Sequence, residues 1–304
     1  MTPVTPLRCG LVGTGHWAQI THAPALASTE GIEFAAVWGR NPDAARALAA
    51  THGAVAHADL GEFLGSVEAV VFAVPPDVQG EIALRAARMG RHLLLEKPVA
   101  VGDADADALV AAVDAAGVAT VVFFTARFQP EVRDWLAAVT SASGWLGGRA
   151  IWPGTALQAG NPFNTPWRQL KGGLWDLGPH VVSMFWASLG PVVSVTADRG
   201  LADITHLVLH HESGVTSTAT VTLSAPEGAG ELELTLWGGP GSSAAPTETS
   251  QPVAALRVAL AELAANARSG RTDHPCDVRF GRDIVRVLAA AERQLASRRP
   301  DMAS

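Results

Sequence analysis

The sequence predicts an α/β protein that begins with a doubly wound parallel sheet and continues with a second α/β domain on an open, mostly antiparallel sheet. Its 304 residues are enough for two domains, at about 100–200 residues each. In the first half, short apolar segments alternate with Ala-rich helical segments, which is typical of a parallel sheet with helices on both faces. After about Phe124, strand-like segments follow one another mostly without helices, which predicts antiparallel pairing.

The first domain is predicted over residues 1–125. Its strands are expected at Leu7–Val12, Phe34–Trp38, Ala69–Val74, His92–Leu95 and Thr120–Phe124. The helices between them are expected near Ala18–Ala27, Pro42–Ala50, Val78–Met89 and Ala104–Ala116.

The second domain is predicted over residues 126–304. Its strands are expected at Trp145–Trp152, Pro191–Asp198, Thr205–His211, Val215–Ser224 and Glu231–Trp237, after a helix near Trp175–Leu189 that precedes most of them. Two amphipathic helices, Val253–Arg268 and Phe280–Ala296, close the chain and are candidates to pack back on the first domain. The segment Gly238–Pro252, rich in Gly, Ser, Pro and Thr, is expected to be an exposed loop.

Composition argues against several classes of partner. With 22 Lys and Arg against 29 Asp and Glu, the net charge is −7, and there is no dense basic run to bind nucleic acid or an anionic membrane. No apolar run approaches the ~18 residues that cross a bilayer, and the first residues lack a signal-peptide pattern. Two cysteines cannot form a disulfide framework or a thiolate zinc site, so we expect a reducing cytoplasm and no metal. Because the chain has no Tyr, any general acid must be another residue.

A glycine-rich motif, Gly13-Thr14-Gly15-His16-Trp17-Ala18, has the G-x-G-x-x-A form of dinucleotide-binding loops. It follows the first predicted strand and opens a helix, so backbone N–H groups and the helix N-terminus can receive a pyrophosphate. A merely structural tight turn is the alternative. His16 and His22 are expected to pack or to lie at the surface, with His16 approaching the cofactor through its backbone.

The end of the second strand, Ala36–Asn41, predicts which dinucleotide is bound. It offers no carboxylate for the ribose hydroxyls of NAD, whereas Arg40 can pair with a 2′-phosphate and stack on adenine. NADP is therefore favoured, and NAD is the alternative. The alternative role for Arg40 itself is that of a solvated surface cation.

The tripeptide Glu96-Lys97-Pro98 follows the His92–Leu95 strand, at the sheet edge where open parallel sheets bind their ligands. Lys97 can hydrogen-bond a substrate hydroxyl and lower its pKa, while Glu96 orients or partly neutralises the ammonium. Pro98 fixes the turn, with a cis peptide bond as one way to do so.

A third motif runs from Gly172-Gly173 to His180. If its backbone is helical, Asp176 and His180 are four residues apart and share one face. A His beside a carboxylate is a general acid or base near neutral pH. The alternative is a capping Asp followed by a core His, and Pro179 favours a helix that starts here over one that runs through.

With these three motifs in this order, the sequence resembles the glucose-fructose oxidoreductase and inositol dehydrogenase family (Gfo/Idh/MocA), from Leu7 to about Arg293. The resemblance implies a Rossmann domain followed by an α/β domain whose open sheet forms oligomer interfaces, hence a homodimer or homotetramer. The chain departs from the common pattern at Thr125-Ala126, where many relatives carry Asn-Arg, and at Gln79, where many carry His. The matching segments are Leu11–Ala18, Val37–Pro42, Val74–Pro76, Glu96–Pro98, Arg127-Phe128 with Pro130, and Gly172–His180.

The resemblance also implies site residues. Lys97, Asp176 and His180 would be catalytic: His180 takes the hydroxyl proton during oxidation, Lys97 polarises that oxygen, and Asp176 orients the substrate and the ring. The expected cofactor-binding residues are Gly13, Thr14, Gly15, His16, Trp17, Arg40, Val74, Pro75, Glu96 and Lys97. The expected substrate contacts are Arg127, Asn161, Trp167 and Arg168, with a packed Trp167 and a surface Arg168 as the alternative.

The function that follows is an NAD(P)-dependent dehydrogenase or reductase of CH–OH groups. It would transfer a hydride between the nicotinamide and a secondary hydroxyl or ketone of a sugar, polyol or related small compound. One alternative is a lyase- or glycosidase-like enzyme that retains NAD(P) and uses transient oxidation to labilise a neighbouring bond. Another is a non-catalytic NADP-binding regulatory protein, against which the Lys, Asp and His residues argue.

Overall fold

A computed structural model describes residues 5–246 and 251–297 of the chain. Its strands are β1 (Leu7–Val12), β2 (Ile32–Trp38), β3 (Val55–His57), β4 (Ala69–Phe72), β5 (His92–Glu96), β6 (Thr120–Phe123), β7 (Trp145–Pro153), β8 (Val192–Arg199), β9 (Thr205–His211), β10 (Thr216–Thr222), β11 (Glu233–Gly238) and β12 (Gly241–Ala244). Its α-helices are α1 (Ala23–Ser28), α2 (Pro42–His52), α3 (Leu60–Gly65), α4 (Pro76–Arg88), α5 (Asp103–Ala116), α6 (Pro130–Ser141), α7 (Pro166–Asp176), α8 (Gly178–Leu189), α9 (Pro252–Ser269) and α10 (Val278–Ser297). A π-helical turn, Ala18–His22, precedes α1, and a 3-10 turn, Thr125–Phe128, follows β6.

These elements form two compact units. Unit 1 contains residues 5–128 and 251–283, and unit 2 contains residues 129–246 and 284–297. Helix α9 therefore belongs to unit 1, although it follows every strand of unit 2 in the chain. Helix α10 begins in unit 1 and ends in unit 2.

Unit 1 is built on a six-stranded parallel sheet with the order β3-β2-β1-β4-β5-β6. The direction of winding reverses between β1 and β4, and right-handed crossovers on either side place α1 and α2 on one face and α4 and α5 on the other. Helix α9 packs on α1 and on β5 and β6. This confirms the predicted doubly wound parallel sheet.

Local signals explain several of these elements. Every residue of β4 is buried, as expected for a central parallel strand covered on both faces. Asn41 caps α2 by accepting hydrogen bonds from the N–H groups of Asp43 and Ala44. Gly117, at φ +61°, ends α5 in the left-handed conformation that favours glycine.

Unit 2 is built on a six-stranded sheet with the order β12-β11-β7-β10-β9-β8, in which only the β7–β10 pair is parallel. This confirms the predicted open, mostly antiparallel sheet. Helix α8 packs on β7 and β10, where Ala150, Ala219 and Val221 are buried. The alternate residues of the strands face outward, and among them Ile151 and Trp237 are 44% and 41% exposed.

Two predicted segments of unit 2 differ from the structure. The segment predicted as a loop, Gly238–Pro252, contains β12, which pairs with β11 through residues such as Trp237 and Ser242; residues 247–250 of the segment lie outside the described residues. The single helix predicted near Trp175–Leu189 is instead the end of α7 followed by α8, with Leu177 between them.

Candidate active site

The glycine loop lies where the winding of the unit 1 sheet reverses. Gly13 has φ +125°, and a Cβ on it would lie 2.4 Å from the carbonyl oxygen of Ala73, just after β4. Only glycine therefore allows the ends of β1 and β4 to approach this closely. A Cβ on Gly15 would meet no heavy atom within 4 Å, so the loop has space beside it. This cradle fits a pyrophosphate at the position where doubly wound sheets bind dinucleotides.

Trp17 connects the glycine loop to the end of β5. Its Nε1 donates to Oε1 of Glu96 at 2.8 Å, and Glu96 is only 9% exposed. The π-helical turn that follows brings the fully buried His22 to the same carboxylate, where Nε2 lies 3.3 Å from Oε1 without the alignment of a hydrogen bond. The other carboxylate oxygen accepts from the backbone N–H of Lys97 at 3.3 Å. Glu96 thus joins the glycine loop to the Lys97 backbone.

Gln79, on α4, supports the same turn from the other side. Its amide nitrogen donates to the carbonyl oxygens of Glu96 (2.7 Å) and Pro98 (3.2 Å), and its amide oxygen accepts from the N–H of Glu96 at 2.8 Å. The residue is fully buried. The Lys97–Pro98 peptide bond is cis, one of the possibilities expected for this turn.

The other predicted residues of unit 1 lie at the edges of the same sheet. Arg40 is exposed after β2, next to Gly39, where a Cβ would lie 2.8 Å from Cγ2 of Thr14. Val74 and Pro75 follow β4, and His16 is exposed in the glycine loop. Arg127 lies in the 3-10 turn, with its guanidinium carbon 5.6 Å from the ring centroid of Phe280. Unit 1 therefore brings together the glycine loop, residues 74–75 and Glu96-Lys97.

In unit 2, Asp176 ends α7 and is 6% exposed. Arg168 binds it through two hydrogen bonds, from Nε to Oδ2 at 2.8 Å and from Nη2 to Oδ1 at 3.3 Å. The guanidinium also lies over the ring of Phe163, 5.4 Å from its centroid. Arg168 is thus a paired, partly buried residue rather than a solvated surface cation.

His180 lies in the first turn of α8 and is half-buried. Its ring centroid is 5.5 Å from that of Trp152. Leu177, between α7 and α8, keeps helical angles of φ −94° and ψ −34°, so Asp176 and His180 retain their four-residue helical spacing. The helical backbone that the motif required is therefore present.

The loop before α7 contains the remaining predicted substrate contacts. Asn161 donates to the carbonyl oxygen of Thr155 (3.2 Å) and accepts from the N–H of Phe163 (2.9 Å), so it stabilises the loop. Trp167 is half-buried, and its Nε1 is buried without a hydrogen-bond partner among the described residues. Both residues belong to unit 2, with Arg168.

A kink in α7 separates Arg168 from Asp176. Gly172 has φ +62° and ψ −165°, and the helix resumes at Gly173. A Cβ on Gly173 would lie 2.9 Å from both Cα and N of Thr222, at the end of β10. The Gly172-Gly173 pair therefore permits both the kink and the close approach of α7 to the sheet.

Asp203, which the sequence did not single out, accepts several hydrogen bonds at this kink. Its Oδ2 accepts from the N–H groups of Gly173 (3.0 Å) and Leu223 (2.7 Å), and its Oδ1 accepts from the Thr222 hydroxyl (2.5 Å). Burial raises the pKa of Asp203, but hydrogen bonds from Thr222, Leu223, Ser224 and Gly173 outweigh it and hold the pKa below its ordinary value. A lone Asp in a short loop gives no sequence pattern that would have identified it.

Among the described residues, no three or more His, Cys, Asp or Glu side chains form a group that could hold a metal ion. In the same residues, no helix has the length and apolar character needed to cross a bilayer.

Two family descriptions match this chain. Residues 7–124 match an oxidoreductase family with an NAD-binding Rossmann fold, and residues 142–243 match the Gfo/Idh/MocA C-terminal domain. The chain belongs to the Gfo/Idh/MocA oxidoreductase family. The matches cover the segments that contain the glycine loop, Lys97, Asp176 and His180, and they confirm the resemblance inferred from the motifs.

Three known proteins similar to this chain are 22% to 30% identical to it over the aligned residues. The 4-carboxy-2-hydroxymuconate-6-semialdehyde dehydrogenase of Sphingobium sp. is 25% identical over 229 residues, which are 73% of this chain and 70% of that protein. The inositol 2-dehydrogenase of Rhizobium meliloti is 30% identical over 125 residues, 41% of this chain and 38% of that one. The crystal structure of an oxidoreductase domain protein from Kribbella flavida has the same fold, with a TM-score of 0.83 and 22% identity over 97% of this chain and 98% of the other.

Proposed function

We propose that this protein transfers a hydride between NADP and a secondary hydroxyl, or the corresponding ketone, of a sugar, polyol or related small compound. The observation that carries the proposal is the placement of Lys97. It follows β5 directly, and its N–H donates to Glu96, which also accepts from Trp17 of the glycine loop. Gln79 holds the backbone of the flanking residues, Glu96 and Pro98. Lys97 is one of only two lysines in the sequence.

The dinucleotide site in this proposal is formed by unit 1, within the predicted domain 1–125. Gly13, Thr14 and Gly15 bind the pyrophosphate through backbone N–H groups, together with His16 and Trp17. Val74 and Pro75 flank the nicotinamide half, and Arg40, which is exposed beside Gly39, pairs with the 2′-phosphate of NADP. NAD is the alternative cofactor. When bound, the nicotinamide supplies the hydride acceptor or donor.

Three side chains perform the proton chemistry. During oxidation, Nζ of Lys97 donates a hydrogen bond to the reacting hydroxyl oxygen and so stabilises the negative charge that develops there. His180 takes the hydroxyl proton, and Asp176, held by Arg168, orients the substrate. Arg127, Asn161 and Trp167 are further candidate substrate contacts. In reduction the same groups act in the opposite sense.

The second domain, residues 126–304, would bind substrate and form the oligomer. We expect a homodimer or homotetramer that uses the outward face of the unit 2 sheet, because Ile151 and Trp237 are exposed there. Light scattering on the purified protein tests this assignment. A reducing, cytoplasmic compartment is part of the proposal, since Cys9 and Cys276 are both buried and neither forms a disulfide.

A binding titration tests the proposal before any substrate is known. The chain has nine Trp residues, and tight binding of NADPH or NADH would quench their fluorescence through energy transfer to the reduced nicotinamide. Oxidation of myo-inositol, hexoses and other polyols with NADP⁺ or NAD⁺ would then be followed by the absorbance of the reduced cofactor. Failure to bind either cofactor would contradict the proposal. Binding without any turnover would favour a regulatory protein, and cofactor retained through purification would favour the lyase- or glycosidase-like alternative.

A further inference from the structure

Asp203 connects three elements of unit 2. It lies in the loop of residues 200–204 between β8 and β9, and its carboxylate accepts hydrogen bonds from the end of β10 and from α7. The α7 donor is the N–H of Gly173, at the start of the helical turn that follows the kink. An anionic acceptor at the start of a helical turn is favourable, because the first N–H groups of such a turn lack partners within it.

The loop that presents Asp203 has a constrained backbone. Ala202, directly before Asp203, has φ +53°, a left-handed conformation that is uncommon for a residue other than glycine. A Cβ on Gly172 would lie 3.3 Å from Cβ and 3.4 Å from Oδ2 of Asp203, so the kink and the carboxylate are in close contact. The positive-φ conformations of Ala202 and Gly172 thus both occur where Asp203 packs against the kink.

In the sequence, the Gly172-Gly173 kink that Asp203 contacts lies between Arg168 and Asp176. Arg168 precedes the kink and Asp176 follows it, so the two hydrogen bonds between them span the kink. His180 follows one turn later, through the helical Leu177. Any shift of the turn that begins at Gly173 would therefore move Asp176 and His180 together.

We infer that Asp203 is a positioning residue, which fixes the Gly172-Gly173 kink against β10 and thereby sets the positions of Asp176 and His180 for the reaction. This inference rests on the function proposed above. Asp203 contacts neither Arg168 nor Asp176 in the hydrogen bonds described, so it acts through the backbone of the kink.

Two substitutions separate positioning from folding. In Asp203→Asn, the amide oxygen can accept from Gly173 and Leu223 while the amide nitrogen donates to the Thr222 hydroxyl, so the contacts are kept without the charge. In Asp203→Ala all the hydrogen bonds to this carboxylate are lost. Asp198→Asn is the matched control, since Asp198 is exposed near the end of β8 and accepts only from the N–H of Arg199 in the hydrogen bonds described.

The experiment measures kcat, KM and the dinucleotide Kd well below the Tm of each variant, with the substrate that the wild type oxidises in the panel above. We expect Asp203→Ala to lower kcat by about tenfold to a hundredfold, as small misplacements of reacting groups do, with the NADPH Kd unchanged. Asp203→Asn should restore most of kcat. Hydrogen exchange should rise in peptides covering residues 172–180 of Asp203→Ala and remain unchanged in Asp203→Asn.

Two other outcomes would overturn the inference that Asp203 positions Asp176 and His180. A folded Asp203→Ala protein with wild-type kcat shows that the kink does not depend on this carboxylate. A kcat loss that disappears once activity is corrected for the folded fraction shows that Asp203 only stabilises the fold. If the wild type turns over no substrate, the proposed function fails, but hydrogen exchange over residues 172–180 still tests whether Asp203 fixes the kink, so the two failures are distinguishable.

Discussion

Gln79 shows how a residue without chemistry of its own can fix the geometry of a reactive one. Its buried amide forms hydrogen bonds with backbone groups on both sides of Lys97, namely the N–H and carbonyl of Glu96 and the carbonyl of Pro98. These groups lie at the last residue of β5 and in the turn that follows it, so they need partners from outside the sheet. An amide supplies donor and acceptor together.

Replacing this amide should affect both stability and activity. We expect Gln79→Leu, which is similar in volume, to destabilise the fold by roughly 2–4 kcal/mol, because several buried backbone groups lose their partners. It should also lower kcat, since Lys97 is no longer fixed. Urea unfolding and steady-state kinetics measure both effects. Glu81→Leu, exposed on the same helix, is the control, and equal stability of the two variants would contradict this account.

Lys97 and His180 should carry the chemical step. We expect Lys97→Met and His180→Ala each to lower kcat by about 10²–10⁴-fold while NADPH still binds, because acid–base and electrostatic contributions are lost but the glycine loop is intact. Steady-state kinetics and the fluorescence titration separate the two effects. The other lysine provides the control: Lys171 pairs with Glu292, and Lys171→Met should remain active. A fully active Lys97→Met would refute the assignment.

Arg40 should determine cofactor preference. We expect Arg40→Ala to weaken NADPH binding by about tenfold or more, since a charge-assisted contact to the 2′-phosphate is lost, and to leave NADH binding unchanged. Parallel titrations with both cofactors measure the difference. Arg46→Ala is the control, because Arg46 is an exposed arginine of α2 that pairs with Asp43. An equal loss for NADPH and NADH would contradict the assignment.

At the scale of the elements, α7 can pack closely on β10 because Gly173 has no side chain. The backbone of Gly173 lies so close to Thr222 that a methyl group would contact main-chain atoms that cannot rotate away. We expect Gly173→Ala to destabilise the fold by roughly 1–3 kcal/mol through overpacking and to lower kcat. Thermal unfolding and kinetics test this.

The control for this substitution is another helical glycine. A Cβ on Gly65, at the end of α3, would meet nothing within 4 Å, and Gly65 does not have a positive φ. Gly65→Ala should therefore be neutral or stabilising by a few tenths of a kcal/mol, up to about 1 kcal/mol. If both alanine variants had the same Tm, the close approach at Gly173 would not matter.

The sequence predicted the strands that have a clear pattern of apolar residues, and it missed strands that lack one. The strands β1, β4 and β5 are mostly apolar, and they were placed to within two residues. Strand β3 has three residues, with Val55 59% exposed, so it shows no apolar pattern. Strand β12 is a Gly-, Ser- and Ala-rich segment that was predicted as a loop; it forms through pairing with β11.

The candidate site divides in the same way. The glycine loop, Glu96-Lys97 and Asp176 with His180 could be predicted because each chemistry depends on a fixed local spacing. Gln79 and Asp203 could not, because each acts on backbone groups 17 or more residues away in the chain. Contacts of this kind depend on how the sheets bring strands together.

For the whole molecule, pH should act on both units through buried histidines. Burial lowers the pKa of His92 in unit 1 and of His211 in unit 2. Their folded pKa values lie below the unfolded value of about 6.5, so their neutral forms stabilise the fold above about pH 6.5, and this contribution is lost as the pH falls. We expect Tm to fall between about pH 7.5 and pH 5.5.

One histidine can be tested separately. His211 is 2% exposed and is held by the Gly190 carbonyl and the Ser217 hydroxyl. His211→Gln should have a smaller decrease in Tm across this pH range, although it is less stable at neutral pH. His206→Gln, at an exposed position on the same strand, β9, is the control. The account fails if the pH dependence of Tm is identical in all three proteins.

The late position of α9 in the chain has a consequence for biosynthesis. This helix buries Leu256, Leu260 and Leu263 in unit 1, where it packs on β5 and β6. On the ribosome, those strands emerge long before α9 does, and the whole sheet of unit 2 is synthesised in between. Unit 1 therefore cannot bury this face of its sheet until the chain has been synthesised past residue 263. Until then, the apolar face of β5 and β6 remains exposed to chaperones.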